Sequence, residues 1–324
     1  MVGLQAQHCL GAVQQQTQPH RAVVQHLRGA NLPGSQTQRA GHVLQHGGVG
    51  CVAGEFRRGK GQLRAGAAHF PVLDGVRGLE AEDWAAYPEH LDADGLFRMT
   101  FGGYLVRTAD RVVLVDGGVG PHPFAPPGIP APYDGVLLDS LRAQGVSPDD
   151  VTDVVLTHLH LDHIGWVSAD GAPVFGNATY RCAEQEWRAP APPPVGELMD
   201  PVRERLETWD RDVTLLPGID VRVTPGHTPG STVVVVSSGG RRVFLVGDLA
   251  HCPHELLFRD WAGLGDADPV QAAAARAEIA EEVEHEGAWV GSTHFTGLAV
   301  GRIAGTDASR RFSYDVVDDS ADPH

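Results

Sequence analysis

The most informative stretch of the sequence is Thr157-His158-Leu159-His160-Leu161-Asp162-His163, which directly follows the apolar run at 153–156. Three histidines and an aspartate lie within six positions, and neutral imidazole and carboxylate are ligands that zinc and similar divalent ions accept. Because side chains alternate along an extended segment, a turn at the end of this stretch can redirect the last ligand. One short loop can therefore serve two adjacent ions. The alternative is a polar loop whose histidines only cap the end of a strand.

Three further segments have the same form, a polar ligand at the end of an apolar strand. The run at 221–224 leads to His227 in a Pro-Gly-His-Thr-Pro-Gly turn, the run at 243–246 leads to Asp248, and the run at 289–293 leads to His294. Each signal is weak alone, since a single histidine at a strand end is usually a surface residue. The four segments together give seven candidate metal ligands: His158, His160, Asp162, His163, His227, Asp248 and His294.

The rest of residues 69–324 alternates between strand and helix patterns joined by turns. A β-hairpin is predicted over 101–107 and 112–116, and a helix over 134–144 with Asp134 as its N-cap and Gly145 after its end. Further strands are predicted at 219–224, 231–237, 241–247, 288–292 and 311–317. One helix is predicted to end near Leu206, and another is predicted to run between Asp268 and Gly287. Mixed strands and helices with short loops predict one layered α/β domain.

Charge divides the chain into two unlike parts. The whole chain has a formal charge of −16, but residues 1–68 hold seven basic residues against a single acid, Glu55, which leaves −22 for residues 69–324. The first part is low in complexity and shows no lasting apolar period. We therefore expect residues 1–68 to be a basic leader, disordered or spurious, and residues 69–324 to be the folded domain that carries the candidate ligands. An acidic surface repels phosphate backbones, so nucleic acid is not the expected partner.

Four cysteines, Cys9, Cys51, Cys182 and Cys252, form no CxxC pair and no disulfide framework. No apolar run has the length of a membrane span, and the N-terminus lacks the pattern of a secretory signal. The sequence therefore predicts a cytoplasmic protein with reduced thiols and no membrane partner.

The HxHxDH loop, the turn at 225–231, the Gly-Asp step and the C-terminal histidine together resemble the metallo-β-lactamase superfamily over roughly residues 69–317. The resemblance implies the four-layer αββα sandwich of the α/β class, with the site at one edge between two sheets. It also implies which side chains hold each ion: His158, His160 and His227 the first, Asp162, His163 and His294 the second, with Asp248 bridging both.

Two divalent ions about 3.5–4 Å apart lower the pKa of a shared water, so that a bridging hydroxide exists at neutral pH. We expect this hydroxide to attack a carbonyl or phosphoryl centre, and Asp162 to pass a proton to the leaving group. Zinc is the expected metal, with manganese, iron or cobalt as alternatives because they accept the same ligands. The resemblance further implies that Asp116 supports a metal-binding histidine; a simple turn residue is the other interpretation.

The ligands exclude several branches of the superfamily. Flavodiiron proteins have glutamate where His160 stands, and the true class B β-lactamases lack the bridging aspartate. Glyoxalase II shares all seven ligands but carries a basic, helical glutathione-binding domain, whereas residues 69–324 contain no lysine. The sequence instead resembles the N-acyl-homoserine lactonase and methyl parathion hydrolase-like branch. Lactonases of that branch have a tyrosine three residues after the bridging aspartate, and His251 stands there. His251 either replaces that tyrosine in catalysis or only lines the entrance.

These observations predict a dinuclear hydrolase of a small lactone, ester or related molecule. A glyoxalase II-like thioesterase and a non-catalytic metal-binding module on the same fold are the alternatives. The sequence leaves the native substrate and the oligomeric state open, with a homodimer as one option.

Overall fold

The structure is a computed structural model that describes residue 84 and residues 87–121, 136–258, 261–263, 265–305 and 310–313, together with the backbone at 23–26, 67–70 and 76–77. The first eleven strands are β1 Val23–His26, β2 Ala67–Phe70, β3 Val76–Arg77, β4 Phe97–Thr100, β5 Tyr104–Arg107, β6 Val112–Val115, β7 Asp153–Val155, β8 Ser168–Ala169, β9 Ala172–Pro173, β10 Thr179–Ala183 and β11 Leu206–Trp209. The remaining strands are β12 Val213–Leu216, β13 Ile219–Val223, β14 Thr232–Ser238, β15 Arg241–Leu245, β16 Ala262–Gly263, β17 Trp289–Gly291, β18 Val300–Ala304 and β19 Arg311–Ser313.

Six α-helices and five 3₁₀ turns lie between the strands of the described residues. The helices are α1 Leu137–Ala143, α2 Leu161–Ile164, α3 Glu184–Arg188, α4 Pro193–Met199, α5 His254–Leu257 and α6 Pro269–Glu286. The 3₁₀ turns are Pro88–His90, Pro148–Asp150, Asp200–Arg205, Gly247–Leu249 and Thr296–Leu298.

Two large sheets form the centre of the fold. The first has the order β1-β5-β6-β7-β10-β11, and the second has the order β12-β13-β14-β15-β17-β18-β19. In the first sheet β6, β7, β10 and β11 run parallel, while β5 pairs antiparallel with β6. In the second sheet β13 and β15 both pair antiparallel with β14, and β15 pairs parallel with β17. Strands β13, β15 and β17 therefore point the same way.

Alternation along the strands assigns their side chains to layers, because successive residues face opposite sides of a sheet. In β6, Val113 and Val115 lie in the apolar layer between the two sheets, while Leu114 faces the outer side of the first sheet. In β14, Val234 faces the layer between the sheets, and Val235 faces the outer side of the second sheet.

Helices cover both outer faces. Leu141 of α1 and Met199 of α4 pack on the first sheet, and Ile279 and Val283 of α6 pack on the second. The order of layers is thus helix, sheet, sheet, helix. This arrangement confirms the predicted four-layer αββα sandwich of the α/β class.

Most of the predicted elements are present, with one clear difference. Strands β5 and β6 form the predicted hairpin, and Asp268 caps α6 by accepting hydrogen bonds from the backbone N–H groups of Val270 and Gln271. Gly145 ends α1 with a φ of 68°, while the expected N-cap Asp134 lies outside the described residues. The helix predicted to end near Leu206 is instead α3, α4 and a 3₁₀ turn, because the prolines at 190–194 interrupt it.

The predicted leader is described only at a few backbone positions. Strand β1, within residues 1–68, pairs antiparallel with β5 in the register Val23↔Arg107, and Ala67–Phe70 pairs with β4. Since the rest of residues 1–66 lies outside the described part, the division at residue 68 stays a prediction. Cys182 and Cys252 are buried free thiols. Among the described helices, none is both long and apolar enough to cross a membrane.

Candidate metal centre

Strand direction brings the candidate ligands to one edge of the sandwich. The loop at 158–163 follows β7 in the first sheet, and the other three ligands follow β13, β15 and β17 in the second. Because these three strands of the second sheet run the same way, their carboxyl ends share one edge. The structure brings together all seven predicted ligands there, and six of them are buried, with His160 exposed at the rim.

One group of ligand atoms comes from His158, His160, His227 and Asp248, whose ligand atoms all lie within 4.8 Å of one another. His160 Nδ1 lies 3.0 Å from His227 Nε2. The loop at 158–163, which follows the first sheet, therefore meets the Pro-Gly-His-Thr-Pro-Gly turn, which follows a strand of the second sheet. These are the residues that the resemblance assigned to the first ion.

A second group comes from Asp162, His163 and His294, whose ligand atoms are also within 4.8 Å of one another. His163 Nε2 lies 3.2 Å from His294 Nε2, and Asp162 Oδ2 lies 3.5 Å from the same nitrogen of His294. The short helix α2 turns the chain after His160, and the His163 ring lies between the two groups, with its centroid 4.0 Å from that of His158 and 5.2 Å from that of His294.

Asp248 lies between the two groups and presents one carboxylate oxygen to each. Its Oδ1 atom is 3.0 Å from His163 Nε2 and 2.9 Å from His294 Nε2. Its Oδ2 atom is 3.3 Å from His227 Nε2 and 3.6 Å from His158 Nε2. This is the placement expected of a carboxylate that bridges two ions.

The donor set fits two divalent cations. Among the described residues, His158 Nε2 is buried and makes no hydrogen bond, which would be costly if the nitrogen had no ligand. Two pairs of imidazole nitrogens face one another, His160 with His227 at 3.0 Å and His163 with His294 at 3.2 Å. Five histidines and two aspartates are a nitrogen-rich set that suits zinc and similar borderline ions.

Charges in the centre are strongly coupled. Burial disfavours the ionised form of Asp248, but the neighbouring histidines, His163 first, lower the pKa of its carboxyl well below the usual value. Burial also opposes protonation of His163, yet Asp248, Asp116 and Asp162 raise its pKa well above the usual value. Although His160 is at the rim, loss of water around its ring and the neighbouring His227 lower its pKa to about 4. Burial and the neighbouring His163 lower the pKa of His158 well below its usual value. Both of these rings are therefore neutral, the form that binds metal.

Asp116 holds part of this centre in place. Its carboxylate accepts hydrogen bonds from Thr157 N at 2.8 Å and Thr157 Oγ1 at 2.9 Å, and its Oδ2 lies 3.0 Å from His163 Nδ1. The contact to Nδ1 leaves the Nε2 atom of His163 facing Asp248. Asp116 thus occupies the supporting position that the resemblance implied.

Comparison with known proteins agrees with this geometry. Residues 103–294, more than half of the chain, match the family described as the metallo-beta-lactamase superfamily. The chain belongs to this superfamily. The N-acyl homoserine lactonase AiiB of Agrobacterium fabrum is 38% identical over 162 residues, which cover 42% of this chain and 57% of AiiB. The N-acyl homoserine lactonase AiiA of Bacillus thuringiensis subsp. kurstaki is 23% identical over 201 residues, or 56% of this chain and 76% of AiiA.

Solved structures show the same likeness. AidC, a dizinc quorum-quenching lactonase in complex with a product, has a TM-score of 0.66 and 25% identity, over 77% of this chain and 92% of AidC. The hydrolase AbOPH has the same fold, with a TM-score of 0.62 at 22% identity over 79% of this chain and 99% of AbOPH. AiiB, AiiA and AidC confirm the predicted resemblance to the lactonase-like branch of the metallo-β-lactamase superfamily.

His251 lies inside the candidate metal centre, next to Asp248 and His294. It is 6% exposed, its Nε2 is 3.5 Å from Asp248 Oδ2, and its ring stacks on His294 with 5.3 Å between centroids. On the other side, Glu255 accepts a hydrogen bond from the His251 backbone N–H at 3.2 Å, and its Oε2 lies 3.4 Å from Nδ1. Burial opposes protonation of the ring, but Glu255 and Asp248 raise its pKa well above the usual value.

Glu186 is a supporting residue that the sequence reading missed. Its buried carboxylate accepts hydrogen bonds from Leu159 N at 3.2 Å and from Gly230 N at 2.8 Å. Leu159 lies between two ligands of the first loop, and Gly230 follows His227. One carboxylate therefore connects the ligand loops of the two sheets. Its only sequence signal is an acid at the start of α3, and acidic residues are common at helix starts.

Asp266 and Arg276 form a second support that was not predicted. Asp266 Oδ1 lies 3.3 Å from His227 Nδ1, and Asp266 Oδ2 accepts a hydrogen bond from Arg276 at 3.1 Å. The same arginine donates to the carbonyl of Leu249, the residue after Asp248, at 3.0 Å. Helix α6 thus positions two ligands of the centre through one guanidinium group.

Proposed function

We propose that the chain is a dinuclear metal-dependent hydrolase that opens small lactones or related esters, and that zinc is its native metal. The observation that carries the proposal is the position of Asp248, which presents Oδ1 to one group of histidines and Oδ2 to another. A carboxylate placed in this way neutralises and spaces two cations. A centre that had lost its activity would not need to retain all seven donors.

The substrate class is supported by the relatives. AiiB and AiiA are named N-acyl homoserine lactonases, and AidC is described as a lactonase. Because the AiiB match spans little more than half of AiiB, a lactone as substrate of this chain remains part of the proposal. The charge of −22 over residues 69–324 favours a neutral substrate over a polyanionic one.

Two divalent ions bound here would lower the pKa of a bound water and polarise the substrate carbonyl. The first would be held by His158, His160 and His227, and the second by Asp162, His163 and His294, with Asp248 shared. Asp162 lies in the second ligand group with its Oδ2 3.5 Å from His294 Nε2, so its carboxylate is placed to hold a proton and return it to the leaving alkoxide.

His251 supplies a hydrogen-bond donor in this proposal. Because Glu255 and Asp248 favour the protonated ring, both nitrogens carry a hydrogen: Nδ1–H points to Glu255, and Nε2–H faces the centre. There it donates to the substrate carbonyl oxygen, where negative charge develops during attack. This is the role that the resemblance gives to a tyrosine at the equivalent place.

The test uses the full chain, purified and loaded with zinc. Metal content is measured first, and hydrolysis is then followed with an N-acyl homoserine lactone, an aryl ester, a phosphotriester and a glutathione thioester. We expect two zinc ions in the centre and the highest kcat/KM with the lactone. Asp248→Asn should abolish turnover of every substrate, while Asp139→Asn, a surface change on α1, should leave it unchanged.

Two results would contradict the proposal. Turnover of the glutathione thioester alone would assign the chain to the glyoxalase II-like branch. Stable folding with no metal bound in the centre and no turnover would leave a non-catalytic module. Manganese, iron or cobalt giving a higher kcat than zinc would change only the metal assignment.

A further inference from the structure

A second set of potential metal ligands lies outside the centre described above. Glu89 and His90 belong to the 3₁₀ turn Pro88–His90, and His254 is the first residue of α5. One ligand atom from each of the three side chains lies within 4.8 Å of the other two. None of these residues belongs to the ligand stretches of the sequence, and none supports a ligand of the centre.

The two histidines are already close to the geometry of a metal pair. His90 Nε2 and His254 Nδ1 are 2.9 Å apart, and their rings are nearly perpendicular at 81°. A tetrahedral zinc ion with Zn–N bonds of about 2.0–2.1 Å places two nitrogens roughly 3.3 Å apart. The pair therefore needs to open by only a few tenths of an ångström to hold the ion.

Both imidazoles are in the form that binds metal. Burial, and then the nearby His254, lowers the pKa of His90 to about 3. Burial lowers the pKa of His254 to about 4. Both rings are thus neutral near pH 7. One of the two facing nitrogens carries the hydrogen of their 2.9 Å hydrogen bond, so a cation requires that hydrogen to move to the other nitrogen of its ring, without net loss of a proton.

The Glu89, His90 and His254 cluster is covered by aromatic side chains on one side and faces solvent on the other. Trp84, Tyr87, Phe258 and Trp261 pack around the histidines, with the ring centroids of Tyr87 and His254 3.7 Å apart. Glu89, by contrast, is exposed, so its carboxylate can swing over the two nitrogens from the solvent side. Two imidazoles and one carboxylate leave a fourth position for water, as in other three-ligand zinc sites.

We propose that Glu89, His90 and His254 form a third metal site that takes one borderline divalent ion such as Zn²⁺. The ion ties the 3₁₀ turn Pro88–His90 to α5. Because α5 also carries Glu255, which holds His251, the third ion steadies one wall of the catalytic centre from outside. This site is independent of whether the centre hydrolyses lactones.

The experiment counts bound zinc in the full chain. The metal is removed from the protein with a chelator, and the protein is then dialysed against buffers of fixed free Zn²⁺. Bound zinc is measured by elemental mass spectrometry. Wild type should take up one equivalent more than His90→Gln at saturation. Glu89→Gln, which changes an exposed side chain, should weaken that last equivalent about 10-fold or more. His285→Gln, an exposed histidine of α6, is the matched control and should equal wild type.

A second measurement follows stability. The Tm of wild type should continue to rise after the centre is saturated, whereas the Tm of Glu89→Gln should show this further rise only at about 10-fold higher free Zn²⁺ or more, because an ion bound to the folded state stabilises it in proportion to its affinity. Equal stoichiometry and equal affinity in wild type and Glu89→Gln would overturn the third site. A centre that fails to bind two ions would contradict the proposed function, but the difference of one equivalent between wild type and His90→Gln would still test this site.

Discussion

The Nε2 atom of His251 lies 3.5 Å from Oδ2 of Asp248, on the side of the carboxylate that faces His158 and His227. The ring is held from behind by Glu255 and is stacked on His294. A histidine that only lined the entrance would have no need of a buried carboxylate to fix its orientation. The geometry therefore favours a catalytic role among the two interpretations that the sequence left open.

Replacement of His251 tests this role. We expect His251→Ala to lower kcat for the lactone about 10²-fold, the typical cost of losing a donor to a developing oxyanion, with a smaller change in KM. Bound metal should stay at two equivalents in the centre, because His251 is not one of the seven ligands. His251→Tyr, which restores a donor, should recover part of kcat. Unchanged kcat in His251→Ala would assign the residue to the entrance.

Glu186 should matter for metal affinity more than for chemistry. Glu186→Gln replaces one acceptor oxygen with an N–H group that would face the backbone N–H of Leu159 or Gly230. We expect zinc affinity, measured with a competing chelator, to fall about 10–100-fold, while kcat at saturating zinc falls less. Glu184→Gln, a partly exposed change on the same helix, is the control. Equal affinity in the two variants would contradict the supporting role.

Gly165 permits a close backbone approach beside the ligands. A Cβ at this position would lie 2.0 Å from Gly120 N and 2.5 Å from Gly118 O, both backbone atoms. Gly165→Ala should therefore displace the turn that follows α2, lower the free energy of unfolding by about 1–3 kcal/mol and reduce bound metal. Gly196→Ala, in α4 with nothing within 4 Å of the new Cβ, should be neutral or stabilising. Chemical denaturation of both variants checks the difference.

The buried pair His90 and His254 predicts a pH dependence of stability in metal-free protein. Their folded-state pKa values, about 3 and about 4, lie below the usual 6.5. Below pH 6.5 the unfolded chain therefore binds protons that the folded chain does not, and the free energy of unfolding falls as the pH falls. Each such histidine contributes up to about 1.4 kcal/mol per pH unit between pH 6 and pH 4.

His90→Gln should remove one such contribution from the slope. Denaturant unfolding at several pH values in this range, with chelator present, measures the slope for wild type, His90→Gln and the control His285→Gln. If His90→Gln and wild type have parallel profiles, the folded-state pKa of His90 is not lowered.

The strand and helix pattern and the candidate ligands were predictable because both depend on local patterns, whereas the four-layer sandwich was anticipated through the family resemblance. Val113, Leu114 and Val115 alternate between two layers, and each ligand directly follows an apolar strand, so short windows of sequence carry the signal. Strand β18 was not predicted, because Val300–Ala304 contains a glycine and an arginine and shows little β-typical alternation.

The supporting residues were not predictable in the same way. Glu186, Asp266 and Arg276 act through contacts that exist only after the sheets and α6 have packed together. Asp266 is 39 residues from His227, and Glu186 is 44 residues from Gly230. Carboxylates and guanidinium groups at such separations look like ordinary surface residues in the sequence. Asp116 was anticipated only through the family resemblance.

The two ion-binding groups draw on strands that are made at different times during synthesis. His158, His160, Asp162 and His163 belong to the first sheet, whereas His227, Asp248 and His294 follow strands of the second. The last ligand is separated from the first loop by 131 residues. In a nascent chain, the first ligand group therefore cannot form before His227 has left the ribosome. The second cannot form before His294 has done so. In the proposed dinuclear enzyme, metal acquisition would be a late step of biogenesis, and each bound ion would act as a cross-link that joins the two sheets of the finished fold.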